Sequence, residues 1–267
     1  SAGKSSGGVA LSGAGVSAVN KIATNIQSFL DGDRLGGGSQ SGVRADSLTV
    51  AAYDYSRVNA LAGAVTIAAQ FGGKSSTAVS VGVSLSQNHI GNNVAASIHR
   101  TSMVETTSGD IVVDAATKSV IDSIVFAASA ALSGGKGTSI AVSGAGASSR
   151  NIILSKTKSL IDDGGEALPA VHTIKSAGGV TVHAASDSTI VSEVVAFSAA
   201  LAGGNGQAGV GASLGYSVAR NFIGWDPYSL DIVPDKTTAD EVQTVSEGTT
   251  VSVEEGVRVG DTYRYIG

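Results

Sequence analysis

Val79, Val81, Val83 and Leu85 alternate with Ser80, Gly82 and Ser84, and a period of two marks a half-buried β-strand. Past Leu85 the apolar positions change parity and fall on Ile90, Val94 and Ile98. A bulge or corner near Asn88 accounts for that change. Upstream lie an alanine-rich run that ends in glycines, Ala60–Gly73, and a strand-like run, Val50–Val58.

This four-part phrase is written repeatedly. Val113–Ile121 and Val182–Ile190 repeat the leading strand, and Ser123–Gly135 and Glu193–Gly204 repeat the alanine-rich run. The Gly/Ser/Val runs lead to Asn20, Asn88, Asn151 and Asn221, which stand 68, 63 and 70 residues apart. The apolar fourth part appears as Ile22, Ile26, Leu30, then Ile90, Val94, Ile98, then Ile153, Thr157, Ile161. Its spacing fits helix and strand alike. β-branched content, Gly91 and even-residue alternation through Asn92 and Ala96 favour strand. The insertions Gly32–Gly42 and Asp162–His172 fall at one station of the repeat and read as loops on one side of a stack.

A long fixed period means stacked supersecondary units, none able to bury its apolar face alone. The chain reads as a β-repeat array over 1–225, with a leading half unit (1–42), full units over about 43–105 and 106–172, and a third over 173–225, followed by an acidic inter-repeat module, 226–267. The fold class is all-β and elongated. One arrangement is a parallel β-solenoid whose coils stack about 4.8 Å apart; the other is a row of long antiparallel hairpins with GGK, GGKG or GGNG tips. The solenoid suits strands of small residues better. An Asn recurring at one station suits a corner, where its amide pairs with backbone groups the bend leaves open, and makes an Asn ladder. Beginning midway through a repeat, the chain reads as a stretch cut from a longer array.

Composition supports thin layers over a globular core. The chain has 36 Gly, 3 Pro and 4% aromatic residues, with 42% hydrophobic and 15% charged, so small and β-branched side chains must fill it. Cysteine is absent, which excludes disulfides and thiolate metal sites. No apolar stretch is long enough for a spanning helix, and one Trp with six Tyr cannot supply the aromatic girdles of a membrane barrel. Residues 1–225 carry 14 Lys+Arg against 13 Asp+Glu, whereas 226–267 carry 3 against 9. A near-neutral body offers no footprint for nucleic acid. The tail also holds Pro227, Pro234, Tyr228, Tyr263 and Tyr265, and Val251–Gly260 and Gly260–Gly267 suggest short strands there.

Candidate chemistry is sparse. Gly13–Ala18 (GAGVSA) matches a loose dinucleotide fingerprint, which would need a strand before it and a helix after. The same phrase recurs at Gly144–Gly146 and Gly209–Gly211 as part of the repeat. GKSS, at Gly3–Ser6 and Gly73–Ser76, lacks the first glycine of a phosphate loop, since Ala68 stands there. His89, His99, His172 and His183 show no zinc spacing. Asp31 and Asp33, with Asp162 and Asp163, offer loop carboxylates for calcium, without EF-hand spacing; solvated turn residues are the expectation. No paired carboxylates or basic residues break the repeat in one unit as a polysaccharide-cleaving site would, so no catalytic, cofactor-binding or metal residues are assigned and the chain is read as a non-enzyme.

The order VxAxDxS, an AxAGAxxxAAxxGG run, GVSxxxN, an Ile/Val run and a closing VRVGDTYRYIG segment resembles the repeats of giant bacterial surface proteins, the filamentous-haemagglutinin-like and leukotoxin-type filamentous adhesins. The resemblance covers nearly the whole chain. It implies a secreted protein at the bacterial cell surface whose repeats set reach and stiffness, with neighbouring repeats, identical chains in a filament, or host or prey surfaces and glycans as partners, and no membrane insertion. The alternative is a carbohydrate-binding or polysaccharide-degrading β-helix that stacks sugars on Tyr53, Tyr55 or Tyr216.

Overall fold

The computed structural model describes residues 7–32, 42–101, 103–162, 173–205, 208–225, 236–239, 244–247, 249–253 and 262–266. The chain divides into two compact units, 1–225 and 226–267. Every regular element described is a strand.

In the first unit, β1 (Gly8–Ile22), β2 (Asn25–Asp31) and β3 (Val43–Ala45) precede a strand of 24 residues, β4 (Leu48–Phe71). The course then repeats: β5 (Ser76–Ile90), β6 (Asn93–His99), β7 (Met103–Thr106), β8 (Ile111–Gly135), β9 (Ser139–Ile153), β10 (Lys156–Asp162), β11 (Thr173–Lys175), β12 (Val180–Gly204) and β13 (Gly209–Ile223). The backbone ladders join equivalent strands, in the orders β1-β5-β9-β13, β10-β6-β2, β11-β7-β3 and β12-β8-β4, and every one of these pairings is parallel. The fold is a parallel β-solenoid. At the glycine tip β4 reverses into β5 through Gly72 and Gly73, with φ of 95° and 94°, a conformation that glycine adopts without strain. The two arms of this reversal lie in different sheets, so they face each other across the coil instead of pairing as a hairpin.

Leading strand and alanine-rich run, distinct in the sequence, are thus one uninterrupted strand in each coil. The fourth part is also strand, with Ile90, Val94 and Ile98 all buried. In the second unit β14 (Lys236–Thr237) runs parallel to β15 (Thr250–Ser252), which pairs antiparallel with β16 (Thr262–Arg264). Glu254–Asp261, where the Val251–Gly260 strand was expected to continue, lies outside the described residues, as do most of the two inserted loops.

The interior is layered along each coil. The end opposite the tip is built from large aliphatics: Val50, Val94, Ile98, Val104, Ile111 and Val113. A second apolar layer is centred on Val58, Ile90, Ile121 and Ile153, a third on Ala62, Val125, Ala127 and Ala145. Nearest the tip the layer is alanine alone: Ala68, Ala78, Ala131 and Ala141. Polar layers separate them. Asn92 Nδ2 donates to Asp54 Oδ2 (2.6 Å) and Ser56 Oγ (2.7 Å); further along, Ser80 Oγ donates to Thr66 Oγ1 and Ser143 Oγ to Ser129 Oγ, each at 2.9 Å. These buried hydroxyls find partners in each other, as most buried polar groups do; Ser84 Oγ, also buried, has none.

Two expectations need correction. No bulge accompanies the change of apolar parity between Leu85 and Ile90: β5 alternates without interruption, and Ser80, Ser84, Ser86, Asn88 and Ile90 all point inward. Val81, Val83 and Leu85 point outward, with Val81 47% exposed while Ser80 is fully buried. The cause is the approach of the two walls near the tip. A Cβ on Gly82 would stand 3.0 Å from the carbonyl oxygen of Ala128, and one on Gly215 3.1 Å from that of Ala196. Where the walls come this close Gly, Ala, Ser and Thr take most inward stations, with Gln70 and Val125 the larger exceptions, and the other large residues are displaced to the outside. The second correction concerns Asn88, which lies inside β5; the chain turns after it, at Gly91 and Asn92, between β5 and β6.

The Asn ladder itself is present. Asn20 Nδ2 donates to Asn88 Oδ1 (2.8 Å), Asn88 Nδ2 to Asn151 Oδ1 (2.7 Å) and Asn151 Nδ2 to Asn221 Oδ1 (2.8 Å). Asn151→Ala strips the buried Asn88 of an acceptor and the exposed Asn221 of a donor, and an unsatisfied buried group such as the Asn88 amide costs about 1–3 kcal/mol; a lowered urea midpoint checks it. The inverted walls make a second prediction. Val83→Ser, on the outside, should shift stability by no more than about 0.5 kcal/mol, whereas the more apolar Ser84→Val should overpack the interior and cost about 1–3 kcal/mol, read by the same titration.

Candidate functional surface

Apart from Asp54, which is buried with Asn92 and Ser56, the charged side chains described in the first unit lie mostly on its outer faces. The half of β4, β8 and β12 farthest from the glycine tip carries Tyr53, Tyr55 and Arg57 on one coil, Asp114, Lys118 and Asp122 on the next, and His183 and Asp187 on the third. Alternation along a strand puts these residues on one face, and parallel register stacks Ala51, Asp114 and His183 in one row and Tyr55, Lys118 and Asp187 in another. Tyr53 Oη donates to Asp114 Oδ2 (2.6 Å), and His183 Nδ1 is 2.8 Å from Asp114 Oδ1. Arg57 pairs through Nη2 with Asp122 and donates through Nε to Asn59 Oδ1 (2.9 Å).

Similar links tie the shorter strands. Arg100 binds both carboxylate oxygens of Asp31, His99 Nδ1 lies 2.5 Å from Asp162 Oδ1, and Glu105 meets Lys175 at 2.7 Å and Arg44 at 3.6 Å. A shallow depression outside β2, β6 and β10 is lined by Gln27, Phe29, Asp31, Ser97, His99 and Leu160. Each ion pair joins one coil to the next, so each holds the stack together.

These pairs set the local protonation. Hydrogen bonds from Tyr53 and then His183 hold the Asp114 carboxyl below its ordinary 3.8. The bond to Lys175, with the charge of Arg44, holds Glu105 below 4.5. The same bond to Asp114 raises the Tyr53 phenol above 10.0.

The residues singled out in the sequence scatter. Gly13–Ala18 lies within β1, with no helix following, so the dinucleotide context is missing. Gly73–Ser76 forms the tip of a coil; Gly3–Ser6 lies outside the described residues. Asp31 and Asp162 are engaged by Arg100 and His99, and Asp33 and Asp163 are outside the described residues. Among the described residues no three His, Asp or Glu converge as a metal would need. His89, His99 and His183 occupy β5, β6 and β12, and His172 is not described. Tyr53 and Tyr55 share a face, whereas Tyr216 stands on the outside of β13, in another sheet. No described helix is long and apolar enough to cross a membrane. The Tyr53–Asp114–His183 cluster went unseen in the sequence; superposing units at the strand offsets would have put Asp114 and His183 in one row.

No family model matches the chain, and searches of the curated proteins and of the solved structures returned no match either.

Acid should loosen the stack. A carboxylate whose folded pKa is depressed contributes stability that is present above its unfolded value and lost as pH falls through its folded one. Asp114 and Glu105 are of this kind, so the urea midpoint should hold steady at neutral pH and begin to drop below about 4.5, the ordinary Glu105 value. Asp114→Asn should flatten part of that drop. Tyr53 has the opposite sign: its contribution is present below 10.0 and disappears as pH rises through its raised folded value.

Proposed function

We propose that this chain is a structural and adhesive segment of a large secreted bacterial surface or fibre protein, its partners being neighbouring repeats, identical chains in a filament, and cell surfaces or glycans. The observation that carries this reading is the in-register stacking of equivalent residues, the Asn ladder above all. A stack of this kind extends by adding coils, each contacting only its neighbours, and repeats one set of side chains at a fixed spacing. Weak contacts presented many times give strong attachment.

The geometry favours stiffness over reach. A coil contains a strand of 24 or 25 residues, which spans about 80 Å at ~3.3 Å per residue, yet each further coil lengthens the stack by only about 4.8 Å. The product is a broad ribbon. A carbohydrate-binding role rests on Tyr53 and Tyr55, side by side on β4, with Tyr55 76% exposed.

Beads coated with the full chain should adhere to cells or abiotic surfaces with a steep dependence on coating density, and the chain should leave polysaccharides uncut. Release of sugar fragments would overturn the proposal. Glycan-array binding that falls more than about tenfold on Tyr55→Ala, with no adhesion of the coated beads, would replace it with the carbohydrate reading.

A further inference from the structure

The outer face of the β12-β8-β4 sheet changes character along its length. Up to Arg57, Lys118, Asp122 and Asp187 it is charged; from Leu61 onward it is apolar. Three rows run to the tip: Leu61, Val65, Ile67 and Phe71 on β4; Ile124, Phe126 and Leu132 on β8; and Val195, Phe197 and Leu201 on β12, with Ala and Gly between. Glu193, at the start of its row, carries the one charge on this band. Leu61, Ile67 and Leu201 are each more than three-fifths exposed.

Two aromatic rings level the surface. Gly63 lies in register with Phe126, and Gly134 with Phe71. The Phe126 ring lies across Gly63 and occupies the place a Cβ would take there, while Phe71 lies against Gly134, 3.1 Å from where its Cβ would be. Each ring fills the gap left by a glycine on the adjacent coil. Of the glycines on the band only Gly203, at the tip end of β12, has nothing within 4 Å of a built Cβ. The outside of β1-β5-β9-β13 is apolar as well, but Gly15, Gly144 and Gly146 there are all open in this way, which leaves that face more pitted.

We propose that the flat band from Leu61 to Phe71, with its equivalents on β8 and β12, is a lateral docking surface for a second copy of this chain, packed face to face about a two-fold axis. The inference deepens the filament reading above and rests on it for the nature of the partner. The band measures about 35 Å by 14 Å from strand rise and strand spacing, about 500 Å² per copy. Pairing would bury about 1,000 Å² in all, the threshold of a specific interface, and every further coil in a longer array widens the contact. A patch of about 500 Å² matches the largest that a typical monomer leaves in water, and such patches are often functional. A face nearly free of charge meets its own copy without repulsion. Hydrocarbon is the poorer occupant: the edge strands β4 and β12 would carry unpaired backbone groups into lipid, at several kcal/mol each, whereas face-to-face packing leaves those edges in water.

Sedimentation equilibrium of the full chain tests this, with Ile67→Lys/Leu201→Lys as the band variant and Val81→Lys as the control on the pitted face. All three sites are exposed, and unchanged urea midpoints establish that the variants fold. The wild type should form dimers as concentration rises, the band variant should lose at least about a hundredfold in association constant, and Val81→Lys should match wild type. A wild type that stays monomeric, or a dimer that survives both lysines, overturns the proposal. So does a dimer dissolved by Val81→Lys, or flotation with phosphatidylcholine vesicles that the band variant abolishes. The readout is self-association in solution, so failure here leaves bead adhesion intact, and failed adhesion leaves this result standing.

Discussion

Everything in the first unit depends on one constraint: each residue lies directly against its own equivalent in the next coil. Parallel in-register pairing along strands of 24 and 25 residues brings like positions to within about 5 Å. A side chain at a buried station must therefore tolerate its own kind above and below. Asn does so because its amide is donor and acceptor at once, and a row of amides pairs without end. Ser and Thr do so for the same reason. A buried row of identical carboxylates or ammoniums would repel itself.

Charge on the outside obeys the same constraint by variation between units. Asp31, His99 and Asp162 occupy one station of successive coils, so two acidic residues flank a histidine, and Arg100 neutralises the first of them. Asp114 is met by His183 in its own row, and Glu105 by Arg44 and Lys175 from the coils on either side. Exposed pairs of this kind contribute little each, typically about 0–1 kcal/mol. They matter more for register: a coil displaced by two residues would keep its alternation but lose every such pair.

The period and the strand type were legible because both are written locally. Intervals of 68, 63 and 70 between the Asn residues are the strand offsets of the ladder, and alternation around Val81 marks a strand whichever way it faces. Direction was not legible. A period of two names two faces without saying which is inside, and the usual rule sends the apolar set inward. Here the opposite wall decides. Ala128 and Ala196, far from Gly82 and Gly215 in sequence, stand too near for anything larger than a small side chain. The aliphatic end of the coil, where Ile98 and Ile111 fit between the walls, keeps the ordinary sense. Cross-coil clusters such as Tyr53–Asp114–His183 escaped for a related reason: their members are some sixty to seventy residues apart, one to each coil.

Inverting the wall near the tip links stability to association. An interior mostly of Ala, Gly and Ser buries little apolar area per residue, so that half of the coil relies on hydrogen bonds from wall to wall such as Ser80–Thr66 and Ser143–Ser129, and on dense contact between the walls. The Val, Leu, Ile and Phe residues that would supply hydrophobic stabilisation in an ordinary sheet are left outside, where water makes them unfavourable. Burying them against another surface recovers that free energy, about 25 cal/mol for each Å² removed from water before the costs of association. Recovery grows with the number of coils, while the loss of translational freedom is met once for the whole array. A short stack of this sequence is therefore only weakly driven to pair, and a long one strongly, so repeat number itself sets the strength of the lateral contact.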